Sequence, residues 1–364
     1  MTTNTEIIQL TKKLVSFKTV ENNKSEMQAC ADYILQYLKS DHIHLKHHIQ
    51  NGEHSIYAST KDTKTPSVLL VAHFDVVPAP DDLFVAKIKD NKLIGRGVLD
   101  NKGPLAIMMV LLKELSKREN PPSIAIATTG DEEIGGFNGI QYLLEHQNIK
   151  PDFTIILDSG YLNEYVNKEK GLLFLRLKAK GKSSHGSRPW EGDNAIERLL
   201  KLINKIKPMF TPTRQDHWEK TLNLSMLQAG DAINKVPRSA MAKLDIRYTE
   251  NEDPNKILSE IKQYAEEIGC IEVETEAFAP TFLTDPNHFL VKALLDISEQ
   301  ITNQEPIIKH NFGASDARHF TQKNLPCIQT YPAGGAHHSD HEYLELNKIT
   351  QFYEILKTFV IKNA

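Results

Sequence analysis

The chain has 364 residues, 40% of them apolar and 25% charged, and its 43 Lys and Arg against 47 Asp and Glu leave a formal charge of −4. This is the make-up of an ordinary globular protein with chain enough for about two domains, and it offers no electrostatic case for a nucleic-acid or anionic-membrane partner. Three scattered cysteines (Cys30, Cys270, Cys327) argue against a disulfide framework, no apolar stretch nears the ~20 residues that span a bilayer, and the Met1-Thr2-Thr3-Asn4 start lacks a basic and apolar leader, so a soluble cytoplasmic protein is expected.

Ile7, Leu10, Leu14 and Val15 share one helical face, as do Met27, Cys30, Ala31, Ile34, Leu35 and Leu38. His42, His44, His47 and His48 then alternate in a way that suits the exposed face of a strand. Residues 68–72 form an apolar run ending in His73-Phe74-Asp75. After Gly103-Pro104, residues 105–115 are apolar almost all round, which predicts a helix buried against a sheet. Two more apolar runs follow, 124–129 ending in Gly130-Asp131-Glu132-Glu133 and 153–157 ending in Asp158-Ser159-Gly160. Such runs suit strands covered on both faces, and their alternation with helices up to about residue 170 implies a mainly parallel sheet.

The middle of the chain has a different period. Leu173, Leu175, Leu177 and Ala179 alternate with basic residues, as in a half-buried strand. Asp193 is expected to cap a helix carrying Ile196, Leu199, Leu200, Ile203 and Ile206, and strands are predicted over 221–227 and 240–248. Asp253-Pro254 opens a helix that stops at Gly269, and 271–278 closes as a strand. The order β-α-β-β-α-β is that of the split βαβ sandwich. The expected fold class is therefore α/β, a mainly parallel sheet flanked by helices, with an inserted α+β domain. The boundaries are 1–170, the insertion at 171–280, and 281–364, which ends in a helix over 347–361.

The polar tips of the strand-like runs carry the chemistry. Ligands gather beyond the carboxyl ends of the strands in open α/β sheets, so His73, Asp100, Glu133, Asp158 and His338 are candidate metal ligands. His73 and Asp75 lie two apart, so on a strand they point the same way, and a metal-bound imidazole usually bonds a carboxylate through its other nitrogen. The run from Gly95 to Gly103 holds Asp100 between glycine turns and a helix start, but it matches neither dinucleotide nor P-loop spacing. Asp131-Glu132-Glu133 is either a solvated acidic turn or a site that needs cations, with one acid ligating and another moving a proton. Gly334 to Tyr343 adds His337, His338 and His341, and His310 suits a structural role.

Taken together and in order, these segments resemble the di-zinc metallopeptidase and amidohydrolase family of glutamate carboxypeptidase, aminoacylase, succinyl-diaminopimelate desuccinylase, tripeptidase and cytosolic dipeptidase. The resemblance implies a zinc-exopeptidase type of sheet and a lid and dimerisation role for the insertion. It implies two divalent metals, zinc first with cobalt or manganese as alternatives, about 3.5–4 Å apart and bridged by Asp100. His73 and Asp158 would complete one ion, Glu133 and His338 the other; Ser339 and Glu342 then fall at the family's offsets from His338. Asp75 matches the acid that orients His73, and Glu132 the general base. His185 matches a lid histidine that reaches the partner subunit's site and stabilises the oxyanion. Asn234 and Arg247 match residues that hold polar groups of the substrate, and Gly313 and Ser315 a loop lining the pocket. An Asp rather than a Glu at position 158 points, within that family, to short peptides, with N-acyl amino acids as the alternative substrate. A catalytically silent binding protein is a further alternative, against which the intact Glu132 counts.

Overall fold

Helices α1 (Thr3–Val15) and α2 (Lys24–Leu38) bury the faces that the spacing predicts, Ile7, Leu10, Leu14 and Val15 on the first and Met27, Cys30, Ala31, Ile34 and Leu38 on the second. Strands β1 (His44–Gln50) and β2 (Glu53–Ser59) form an antiparallel hairpin across Asn51-Gly52, both at positive φ, the turn that suits the twist of two paired strands. Then come β3 (Val68–His73), β4 (Lys87–Lys89), β5 (Lys92–Ile94), α3 (Lys102–Ser116), β6 (Ile124–Thr129), α4 (Ile140–Glu145), β7 (Phe153–Ile156) and β8 (Glu164–Glu169). The middle of the chain supplies β9 (Gly171–Lys180), α5 (Ala195–Ile206), β10 (Thr221–Ala229), β11 (Ser239–Tyr248), α6 (Pro254–Ile268) and β12 (Ile271–Ala279). The remainder is β13 (Phe282–Leu283), α7 (Phe289–Thr302), β14 (Ile307–Asn311), α8 (Ala317–Gln322), β15 (Cys327–Gln329), β16 (Gly334–Gly335), β17 (Tyr343–Glu345) and α9 (Ile349–Asn363).

This computed structural model describes residues 2–364, which cluster into two units. The larger takes the chain up to Lys168 with Leu283–Asn311 and Ser315–Ala364, and the smaller takes Glu169–Phe282 with Phe312–Ala314. The larger unit is built on a sheet of order β1-β2-β6-β3-β7-β15-β8-β13, with β14 beside β8. Its centre is parallel: β6, β3, β7 and β15 run side by side in one direction. Its margins are antiparallel, at β1-β2, β2-β6 and β15-β8. Helix α3 packs on β3 and β6 and is covered in turn by α1 and α9, which accounts for its apolar surface all round. A second, small sheet of order β16-β17-β5-β4 joins two distant loops.

The smaller unit has the four-stranded order β10-β11-β9-β12, antiparallel throughout, with Leu173, Leu175, Leu177, Ala242, Leu244 and Ile246 packed under α5 and α6. Phe312 joins it because its ring meets Trp218 at 6.0 Å and lies 5.0 Å from the Lys170 ammonium.

Three sequence expectations need correction. Asp193 is not the cap of α5: Asn194 is, accepting from the Ile196 N–H, while Asp193 is taken up by the Arg198 guanidinium at 2.8 Å. The strand at His73 stops there, so Asp75 lies in the following loop. The histidines of β1 do not share one exposed face, because period-two alternation turns His47 inward, where its Nε2 lies 3.0 Å from His54 Nδ1.

Candidate metal centre

Four neighbouring strands end at the same edge of the parallel sheet, and each hands on a polar side chain. β6 leads to Glu132 and Glu133 in a single 3-10 turn, β3 ends in His73, β7 leads to Asp158, and β15 leads to Tyr331. Asp100 and His338 come from elsewhere, the loops after β5 and β16 in the small sheet. Strand β17 pairs with both β5 and β16, and this pairing brings together two loops more than 200 residues apart in sequence. His338 has a left-handed backbone, φ 60°, uncommon for a residue with a side chain.

Asp100 is the hinge of the arrangement. Its Oδ1 lies 3.1 Å from His73 Nε2 and its Oδ2 lies 3.0 Å from His338 Nε2. Around the first imidazole stand Asp158 Oδ1 at 3.4 Å and Glu132 Oε2 at 4.0 Å, and beside the second is Glu133 Oε1 at 3.3 Å. His73, Asp100 and Glu133 can bring one atom each within 4.8 Å of one another, and so can His73, Glu132 and Asp158. The two oxygens of Asp100 face two different imidazoles, each with further carboxylates beside it.

The electrostatics show a demand for positive charge. Burial works against a proton on His73, yet Asp100, Asp158 and Asp75 outweigh it and hold the imidazole well above its usual value. Asp100 and Glu133 push His338 up to about 10. Burial, then the charge of Asp158, keeps Glu132 well above the usual carboxylate range. Burial would raise Asp100 too, but its bonds to His338 and His73 pull it below the ordinary value. Glu133 Oε1 and Asp75 Oδ1 are buried, and each lies 3.3 Å from an imidazole nitrogen without a well-formed hydrogen bond. Imidazole and carboxylate donors buried and packed this closely suit divalent cations.

The surroundings orient each donor. His73 Nδ1 faces Asp75, 3.0 Å from its carbonyl and 3.3 Å from Oδ1, which leaves Nε2 for the cluster. Asp75 Oδ2 also accepts the Glu133 N–H at 2.9 Å, so one acid positions both loops. The Tyr331 hydroxyl donates to Asp100 at 3.0 Å and to Asp158 at 3.1 Å, and Asn101 donates to Asp158 at 3.1 Å. Below them Glu342 is nearly sealed from solvent: one oxygen accepts from Leu99 and Asp100 N–H, the other from Gly97 N–H and the Arg96 guanidinium at 2.7 Å. Sequence reasoning placed Glu342 only as an offset from His338, and it missed Tyr331 because a three-residue strand leaves no periodicity to read.

Other expected site residues lie apart from this cluster in the chain. In the smaller unit, segment 184–186 pairs antiparallel with 234–236, which sets the exposed His185 opposite Lys235 and the exposed Asn234 opposite Gly186. Gly186 permits this, since a Cβ there would stand 2.8 Å from the Asn234 backbone. His185 Nδ1 accepts from the Ser187 N–H at 3.2 Å, a bond that places the ring's proton on Nε2. Arg247 is engaged by Asp245 at 2.7 Å and lies over the Phe174 ring. Ser315 is buried, its hydroxyl turned to Gln329 at 3.0 Å and to the Ala317 N–H. Gly313 belongs to the smaller unit and Ser315 to the larger.

Replacing Glu342 by Gln should loosen the Asp100 loop, because the amide offers a donor where backbone donors already point. Metal affinity is expected to fall about 10–100-fold, the usual effect of losing support behind a ligand, as measured by competition with a chromogenic chelator. Unchanged affinity would show that the loop holds its shape without the clamp.

The chain is 28% identical over 329 residues to the succinyl-diaminopimelate desuccinylase of Rhodospirillum centenum, covering 84% of this chain and 83% of that one. Its fold matches the aminopeptidase PepT of Bacillus cereus with a TM-score of 0.83 at 20% identity, covering 98% of both chains. It also matches a dinuclear metal-binding peptidase of Bacillus subtilis with a TM-score of 0.72 at 14% identity, over 99% of this chain and 98% of that one. Residues 69–362 fit the family model of peptidase family M20/M25/M40, so the chain belongs to that family and is a hydrolase of the metallopeptidase and amidohydrolase type.

Proposed function

We propose that the protein hydrolyses the amide bond of short peptides with two divalent metal ions, zinc first among them, held by His73 and Asp158 on one side of a bridging Asp100 and by Glu133 and His338 on the other. The observation that carries the reading is the divergence of the two Asp100 oxygens toward two imidazole–carboxylate pairs. Bound there, the ions would polarise the scissile carbonyl and make a water molecule more acidic. Glu132 is the base: it takes a proton from the attacking water and delivers it to the leaving nitrogen. Its burial and the nearby Asp158 raise its proton affinity toward the range a general base needs. Asp75 holds His73 in the tautomer that presents Nε2. Asn234 and Arg247 hold polar groups of the substrate, with Gly313 and Ser315 in the loop that shapes the pocket.

His185 serves as an oxyanion donor, for which an N–H at Nε2 is the required form. In this reading it acts in the site of a second copy, in a homodimer formed through the smaller unit. The edge strand β10 supports that assembly: Met226 and Leu227 are exposed on it, and a sheet edge is stable only when paired or protected. Cys30, Cys270 and Cys327 are all unbridged, which suits a reducing cytoplasmic setting. A second reading, removal of an N-acyl group from an amino acid by the same residues, is favoured by the desuccinylase likeness over most of the chain. Asp158 favours the peptide.

Glu132→Gln should retain about two metal ions per chain by elemental analysis while turnover falls about 10²–10⁴-fold; lost metal with a retained rate would overturn the assignment. Metal uptake at pH 7 should release protons, because the surrounding carboxylates raise the proton affinity of both His73 and His338 and a cation has to displace what they hold. Calorimetric enthalpies that do not vary with buffer ionisation would contradict this. Mixing His185→Ala with Glu132→Gln under subunit exchange should restore about a quarter of wild-type activity, since half the dimers are hybrid and each has one complete site. No recovery after proven exchange would rule out action across the dimer.

A further inference from the structure

Next to the carboxylate cluster lies a cavity of about 150 Å³, enclosed by the turn after α1 and the loops after β3 and β6. Val20, Val76, Val77, Pro78 and Ile134 line it, and Asp75 and Glu133 line it on the side of the cluster. The walls are tied to one another rather than loose. The Val76 N–H donates to the Thr19 carbonyl at 3.0 Å, joining the first turn to the β3 loop, and Asp75 accepts the Glu133 N–H, joining the β3 loop to the β6 loop. A binding pocket of this kind exists before its ligand arrives.

Its size and charge select an occupant. An apolar cavity of about this volume takes a benzene-sized or branched aliphatic group. Each charged side chain that lines it (Glu21, Asp75 and Glu133) is acidic, and no Lys or Arg lines it among the described residues. Glu21 is exposed and so stands at the mouth. A carboxylate there repels a C-terminal carboxylate or a succinyl group and attracts an ammonium group. An apolar side chain and an ammonium group branch from one Cα only in the first residue of a peptide. We infer that this cavity receives the side chain of the substrate's N-terminal residue, a branched apolar one such as Leu, Ile or Val, while Glu21 accepts from its free α-ammonium. The inference rests on the peptide-hydrolase reading and narrows it to peptides with an unblocked apolar N-terminus.

The test uses the metal-loaded protein and three hydroxamates, those of leucine, glycine and 4-methylpentanoic acid, the last being leucine without its amine. Calorimetry should show leucine hydroxamate bound about 10–100-fold more tightly than glycine hydroxamate, the range for burying such a side chain. Val77→Trp and Val20→Phe, which fill the cavity, should bring that ratio close to one, and Glu21→Gln should lower the preference for leucine hydroxamate over its des-amino analogue several-fold. In parallel, Leu-Ala should be turned over faster than Gly-Ala and than N-succinyl-Leu-Ala. Equal affinity for the leucine and glycine compounds in the wild-type protein overturns the inference, as does a preference that survives in both filled variants with their folds intact by circular dichroism. Turnover of Leu-Ala and Gly-Ala at equal rates leaves the peptide reading standing and removes the cavity's role. Tight leucine hydroxamate binding with no peptide cleaved does the reverse.

Discussion

Carboxylates do not gather in a dry place without compensation. Asp75, Asp100, Glu132, Glu133 and Asp158 all meet at one edge of a parallel sheet, with Glu342 sealed beneath them. An isolated buried carboxylate costs several kcal/mol or takes up a proton instead. The protein answers with two imidazoles, the Tyr331 hydroxyl, the Asn101 amide, the Arg96 guanidinium and a set of backbone N–H groups. What these leave uncompensated is the demand that raises His73, His338 and Glu132 at once. Divalent cations meet that demand better than protons, because each can draw on several oxygens and a nitrogen together.

The scaffold satisfies this constraint by dividing the work between two sheets. The central strands of the larger sheet are buried on both faces and rigid, and they place His73, Glu132, Glu133 and Asp158 at fixed lateral intervals. The small sheet exists to bring a second pair of loops over that edge. Without β17 against β5, Glu342 could not reach the amides of the Asp100 loop, and Asp100 would be held only through its side chain, by two imidazoles and the Tyr331 hydroxyl. Reactive groups on loops, held by elements that do not move, are the usual division between scaffold and chemistry.

In the proposed reading the cluster acts on an amide carbonyl, which peptides and N-acyl amino acids both contain, so the cluster alone would not choose between them. Selectivity then lies in the ground around it. The larger unit carries an apolar cavity with an acidic mouth; by itself, the smaller unit exposes His185 and Asn234 and holds Arg247 on Asp245. If the cavity receives the N-terminal residue as inferred, its acidic lining would distinguish a free amine from an acyl group more sharply than the shape of the metal cluster would.

By itself the sequence determined most of the elements and which polar side chains stand at their tips. Apolar runs with polar tips marked β3, β6 and β7 together with His73, Glu132, Glu133 and Asp158, and alternation marked the β-α-β-β-α-β order of the smaller unit, because these patterns are local and repeat within a few residues. Tertiary structure decided what depends on distant partners. Tyr331 reaches Asp100 only because the three-residue β15 pairs with β7, Glu342 becomes a clamp only through β17, and His47 turns inward only through the hairpin register. The choice between Asp193 and Asn194 as the cap of α5 was settled by Arg198, which takes the aspartate. Short strands and single contacts leave no period in the chain, and their energy comes from groups far apart in sequence, so only the folded protein reveals them.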